Sequence, residues 1–242
     1  MDLDPRHLGA LYSLIAGPSA RLIDLTHPLT QGMPVWPTHP RFCQEVVESY
    51  ERGDVACNHA LGMSEHTGTH FDAPLHFAPG AAGIDAIDPR RFFGRMARID
   101  ARDARPCEAV GVERLQAFEQ AYGPLAAGDA VFFHFGWDAF WNDPAPHARF
   151  LSDWPGLSRE AALWLLDREV RIVGSDCLSI DRFGSPDFPV HNLLLRAGIL
   201  IGENFARLAE TPPFAFLISL PLPIRGGSGS PIRAIAVAPA SA

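Results

Sequence analysis

Short apolar runs separated by turn residues dominate the chain, and most carry the β-branched and aromatic side chains that suit a pleated surface. They predict strands at residues 21–25, 42–49, 95–100, 130–135, 172–175, 199–201, 214–220 and 232–236. Helical periodicity is clearest over 112–122 and 158–169, with shorter helices expected at 192–197 and 204–210. Ser158 ahead of Ala161, Leu163, Leu165 and Leu166 reads as a capped helix with one buried face. Residues 8–17 read as a short amphipathic helix. Strands outnumber helices, and the helices come in the middle and late in the chain, so the pattern predicts a mixed α/β domain without strict alternation.

With 47% hydrophobic and 20% charged residues, the 242-residue chain has the make-up of a globular protein, and its length suits a single domain, 1–242. Twenty Lys and Arg against 28 Asp and Glu give a formal net charge of −8, with no basic run to follow a phosphate backbone or an anionic membrane. Nucleic acid and membranes are therefore excluded as expected partners. No apolar stretch reaches the ~18 to 20 residues of a spanning helix, and Asp2 and Asp4 stand where a signal peptide carries positive charge. Cys43, Cys57, Cys107 and Cys177 are scattered, without C-x-x-C pairing, which suits a reducing, cytoplasmic setting.

The chemistry concentrates in His66-Thr-Gly-Thr-His70-Phe-Asp72-Ala-Pro-Leu-His76. Two His at i and i+4 could be helical metal ligands, but Gly68, two threonines and Pro74 are poor helix formers, so an extended segment is expected. In a flat strand His66 and His70 would stand ~13 Å apart, too far to share an ion, so Gly68 must kink the chain. Imidazole and carboxylate without thiolate suit Zn²⁺, Mn²⁺ or Fe²⁺, and three protein ligands leave a coordination position open for catalysis. Ordinary surface or core histidines are the alternative.

This segment resembles the H-x-G-T-H-x-D-x-P-x-H signature of the cyclase family, which includes bacterial kynurenine formamidases and isatin hydrolases. The resemblance extends through Leu22-Ile-Asp-Leu-Thr-His-Pro-Leu29, Gly32-Met-Pro-Val-Trp-Pro37, Gly174-Ser-Asp-Cys-Leu-Ser-Ile-Asp181, the stretch from His191 to Glu203, and Gly229-Ser-Pro-Ile-Arg233. It implies a β-rich swivelling β/β/α fold, a homodimer or higher homo-oligomer, and two divalent ions, zinc first and manganese second. His66, His70 and Asp72 would hold one ion, His191 and Glu203 the other, with Asp72 and Glu203 reaching both. His76 would transfer protons without binding metal, and Trp36 would line the substrate pocket, with a core or interface aromatic as its equal alternative.

The implied reaction is attack by a metal-activated hydroxide on the carbonyl of an aryl amide, with His76 giving a proton to the leaving nitrogen. Two divalent ions against Asp72, Glu203 and hydroxide leave about +1, which favours an oxyanion. Kynurenine formamidase, converting N-formylkynurenine to kynurenine and formate, is the first expectation. The long stretch that includes Trp137-Asp-Ala-Phe-Trp-Asn-Asp-Pro-Ala-Pro146 looks more like the wider family, and isatin-type opening of a cyclic aryl amide is the alternative. A non-catalytic metal- or ligand-binding member is a further alternative. A serine esterase is disfavoured because Gly227-Ser-Gly-Ser-Pro231 falls short of G-x-S-x-G. His27, His39, His59, His134 and His147 are expected in structural or surface roles, with His39 nearest the pocket. Phe71, Phe77, Phe135, Trp137, Phe140 and Trp141 are candidates for an apolar pocket wall or for core.

Overall fold

The structure is a computed structural model that describes residues 4–142 and 148–240. Asp143, Pro144, Ala145, Pro146 and His147 lie outside the described residues, so the end of the long central stretch and the expectation for His147 are not addressed.

The strands in chain order are β1 Ala20–Asp24, β2 Cys43–Glu48, β3 Asn58–Gly62, β4 His70–Asp72, β5 Phe93–Asp100, β6 Ala109–Val110, β7 Ala130–His134, β8 Gly156–Leu157, β9 Ile172–Ser175, β10 Leu200–Glu203, β11 Phe214–Ile218, β12 Gly229–Pro231 and β13 Ile235–Pro239. The α-helices among the described residues are α1 Pro5–Ala16, α2 Val112–Tyr122, α3 Arg159–Asp167 and α4 Pro189–Arg196. Nine strands form one large curled sheet in the order β1-β13-β11-β5-β7-β9-β10-β4-β12. Its centre, β5-β7-β9-β10, is parallel, and every pairing outside that centre is antiparallel. The strands β2 and β3 form a separate hairpin, and β6 pairs with β8.

The parallel centre dictates where the helices go. Chains crossing between parallel neighbours do so right-handedly, which stacks successive crossover helices on one face. The helices α2, α3 and α4 are those crossovers, and α3 packs against both of the others. Both faces of the central strands are consequently buried, which explains the near-continuous apolar run of β7. Val131 and Phe133 face the helices with Ile99, Leu115, Leu165 and Leu194, whereas Ala130 and Phe132 join Phe71, Met96, Phe205 and Leu217 on the other face. Phe132 and Phe133 are fully buried, each contributing about 2–3 kcal/mol of burial free energy.

Most predicted elements appear within a residue or two, with α2 and β9 at the expected bounds and Ser158 Oγ accepting the Ala161 N–H at 3.1 Å as the cap of α3. Two expectations need correction. The helix predicted over 204–210 is only a 3₁₀ turn at Leu208–Glu210, because Asn204 and Arg207 both adopt left-handed backbone conformations. The strand predicted over 232–236 is shifted to β13 Ile235–Pro239, one strand in from the edge strand β1, because residues 232–234 carry the chain across from β12 Gly229–Pro231 at the opposite edge.

Candidate metal centre

The site lies at the carboxyl ends of the parallel strands, the usual place for ligands in open α/β sheets. Strand β10 ends in Glu203, which pairs in register with His70 of β4, and Gly202 pairs with Phe71. Alternation then does the sorting: His70 and Asp72 face the site while Phe71, between them, is buried in the core. Gly68 supplies the expected kink with φ +62°, and its carbonyl turns back to accept from His70 Nδ1 at 2.8 Å. The carbonyl also accepts from the Asn204 amide at 2.9 Å, which holds the turn against β10. After β4, Pro74 opens a 3₁₀ turn that swings His76 back over His66, ring centroids 4.0 Å apart.

His66, His70, Asp72, His76, His191 and Glu203 therefore converge. His70 Nε2 lies 3.4 Å from Asp72 Oδ1 and 3.5 Å from Glu203 Oε2. His191 Nε2 lies 3.4 Å from Asp72 Oδ2 and 3.1 Å from Glu203 Oε1. His66 Nδ1 is 2.6 Å from Asp72 Oδ1. Donor atoms of His70, Asp72 and Glu203 fall within 4.8 Å of one another, as do those of His66, Asp72 and His76.

His70 and Asp72 are 2% and 1% exposed, yet His70 Nε2 and Asp72 Oδ2 have no hydrogen-bond partner. Orphaned buried polar atoms are costly, and both belong to the cluster in which imidazole nitrogens and carboxylate oxygens converge. That arrangement fits a divalent cation of the zinc or manganese type. The electrostatics agree. Burial opposes charge on every group, but Asp72, Asp181 and Glu203 together raise His70 and His191 above the ordinary imidazole range, and Asp72 is held well below the carboxylate range by His66, His191 and His70. Burial lowers His76 to about 4, so its imidazole is neutral near pH 7.

Sequence reasoning missed Asp181. Its Oδ1 accepts the Val190 N–H, and its Oδ2 accepts both the His191 N–H and Nδ1–H, at 3.0, 3.0 and 2.7 Å. It thus caps α4 and leaves His191 Nε2 free to face the site. The only sequence signal was its place at the end of the Gly174–Asp181 block.

The candidate donors open into a pocket of about 220 Å³ walled by Trp36, Phe77, Leu178, Ser179, Phe188 and His39. Trp36 packs on Trp154 and Phe188, at centroid distances of 6.2 and 6.1 Å. Of the other aromatic candidates, Phe77 reaches the pocket, whereas Phe71, Phe135, Trp137 and Trp141 are core. His39 lines the pocket, His27 is buried against Trp141, and His59 is exposed on β3. His134 is buried in a different donor group with Asp138 and Asp176.

Comparison with known proteins matches this geometry to a family. The Cyclase family model, described as "Putative cyclase", matches residues 23–182. The isatin hydrolase of Roseibium aggregatum is 30% identical over 96% of this chain and 96% of its own length. A kynurenine formamidase of Erythrobacter litoralis is 30% identical over 89% of this chain and 93% of its own. A crystal structure of an isatin hydrolase bound to the product analogue thioisatinate superposes with a TM-score of 0.90 at 27% identity, covering 98% of this chain and 100% of that one. The fold, the convergent His and carboxylate residues and these relatives agree, and the chain belongs to the cyclase family.

Proposed function

We propose that the protein, a single domain over the whole chain, is a binuclear metal-dependent hydrolase of non-peptide C–N bonds in aryl amides. The observation that carries this is the meeting of three imidazoles and two carboxylates, all buried but the half-buried His66, with His70 Nε2 and Asp72 Oδ2 unpartnered. His66, His70 and Asp72 would hold one ion and His191 and Glu203 the other, with Asp72 and Glu203 between them. Such ions lower the pKa of water and polarise a carbonyl, supplying nucleophile and electrophile without a reactive serine or cysteine. The chain's own residues do the rest. His76, its ring 4.0 Å from that of His66 and neutral near pH 7, is placed to take up the proton released by the attacking water and to pass it to the leaving nitrogen, and Trp36, Phe77 and Phe188 orient an aryl ring and exclude water.

N-Formylkynurenine is the first candidate substrate, as the kynurenine formamidase relatives suggest. Opening of a cyclic aryl amide of the isatin type is favoured by a separate observation: among the described residues, no Arg or Lys lines the pocket to pair with an amino-acid carboxylate. Four free thiols support a cytoplasmic setting, and a homodimer is the working assembly. Hydrolysis of both compounds by one purified batch, with metal analysis and with chelated and reconstituted controls, tests the reading. Chelator-sensitive turnover of either supports it and selects the branch. Absence of tightly bound metal together with absence of turnover would overturn it.

A further inference from the structure

The Gly227–Pro231 segment, which lacks the spacing of a nucleophile elbow, lies directly behind His66. Ser228 donates twice to Glu65 Oε2, from its N–H at 2.8 Å and its Oγ–H at 2.7 Å. A hydroxyl has one hydrogen, so with that hydrogen on the Glu65 carboxylate, Ser228 Oγ can only accept from His66 Nε2, 2.9 Å away. His66 thus carries a hydrogen on Nε2, and Nδ1, beside Asp72 Oδ1, is the nitrogen turned to the centre. The surroundings hold this pair in place. The Ala73 N–H donates to the Ser228 carbonyl at 2.8 Å, and β12 sets Gly229 opposite Asp72. Gly229 admits the ring, since a Cβ there would stand 2.7 Å from His66 Cε1.

We propose that Glu65 and Ser228 are positioning residues that fix His66 as its Nε2–H tautomer and so make Nδ1 its metal-binding atom. The inference rests on the reading of His66 as a ligand. The Glu65-Ser228-His66 chain does for His66 what the Gly68 carbonyl does for His70 and Asp181 for His191: each backs one ring nitrogen and frees the other. Residues in this backing position tune metal affinity by roughly 10–100-fold.

The test uses zinc as the probe and the full chain. Zinc stoichiometry and dissociation constants are measured by chelator competition for wild type, Ser228→Ala, Glu65→Gln and the double variant, with melting of the metal-free proteins alongside. Each single variant is expected to weaken one zinc by roughly 10–100-fold and to leave the second and the melting temperature little changed. The double variant is expected to be no weaker than the weaker single one, because both residues act through one ring nitrogen. Equal affinities across the set overturn the proposal, as does loss of both zincs in step with a lowered melting temperature. Nitrogen-15 spectra of the zinc-loaded wild type need no variant: zinc on His66 Nδ1 with a protonated Nε2 supports the proposal, and zinc on Nε2 overturns it. A wild type that binds no zinc removes the hydrolase reading and this inference together, whereas zinc-binding wild type with unmoved variants removes the inference alone.

Discussion

Asp181→Asn separates the two tasks of a carboxylate that both caps α4 and backs His191. The native side chain accepts three hydrogen bonds, one at Oδ1 from Val190 and two at Oδ2 from His191. Asparagine keeps the shape but offers one oxygen and one NH₂, so one set of donors must face another donor. The lower-cost orientation keeps the oxygen on His191 and leaves the Val190 N–H unpartnered, at about 1–3 kcal/mol. Loss of negative charge at the helix N-terminus adds roughly 0.3–1 kcal/mol. At about 2–4 °C per kcal/mol for a chain of this size, melting of the metal-free protein should fall by roughly 4–8 °C for a loss of ~2 kcal/mol. The second effect is on the ring: with a neutral acceptor behind Nδ1, His191 Nε2 is a weaker donor, and zinc affinity should drop by roughly 10–100-fold. Calorimetry of the metal-free variant and chelator competition for zinc read the two effects independently. A lowered melting temperature with unchanged zinc affinity would refute the reasoning, because it would reduce Asp181 to a helix cap and remove His191 from the centre.

His76→Ala should keep its metal and lose turnover by roughly 10²–10⁴-fold, whereas Asp72→Ala should lose metal as well; metal analysis beside steady-state rates checks both, and full activity in purified His76→Ala ends the proton-transfer role. His27, buried and stacked on Trp141 at 4.0 Å, is lowered by burial to about 4. Its folded pKa lies below the unfolded value of 6.5, so it costs nothing above that value and destabilises as pH falls toward 4. The loss is about 2 kcal/mol between roughly pH 7.5 and pH 5. His76 contributes equally to both proteins, so urea unfolding at both pH values should show wild type losing about 2 kcal/mol more than His27→Phe, and equal pH dependence would refute it.

The sequence was most legible where local pattern and tertiary environment agree. The helices α2 and α3 carry their own periodicity, α3 with its Ser158 cap as well, and β7 and β9 are apolar because both their faces are covered. It was least legible where pairing alone makes the structure. Strand β12, Gly-Ser-Pro, has no alternating pattern and becomes a strand by lying against β4. The 204–210 segment has helical periodicity, but Asn204 is turned into the left-handed region, where its amide holds the Gly68 carbonyl. At the candidate site, the His66–His76 cluster announced itself by composition. Asp181 and Ser228 did not, because the imidazoles they back lie 10 and 162 positions away, and Glu65, next to His66 in the chain, reaches it only through Ser228, 163 positions on.

The division between rigid and variable parts explains how relatives of about 30% identity can carry different substrate names. Every candidate metal donor stands on or beside a regular element: His70 and Asp72 on β4, Glu203 on β10, His191 on α4, and His66 two residues before the Gly68 kink. Their spacing is set by sheet register and by a core in which Phe71 is fully buried, so a shift of β4 by one residue would put Phe71 in the site and His70 in the core. The pocket walls have no such constraint. Trp36 and His39 come from the loop before β2, Leu178 and Ser179 from the loop after β9, and Phe188 from a left-handed position just ahead of α4. Changes in those loops can alter which substrate fits without moving a single candidate donor atom, so the chemistry of the centre and substrate choice are free to diverge independently on this fold.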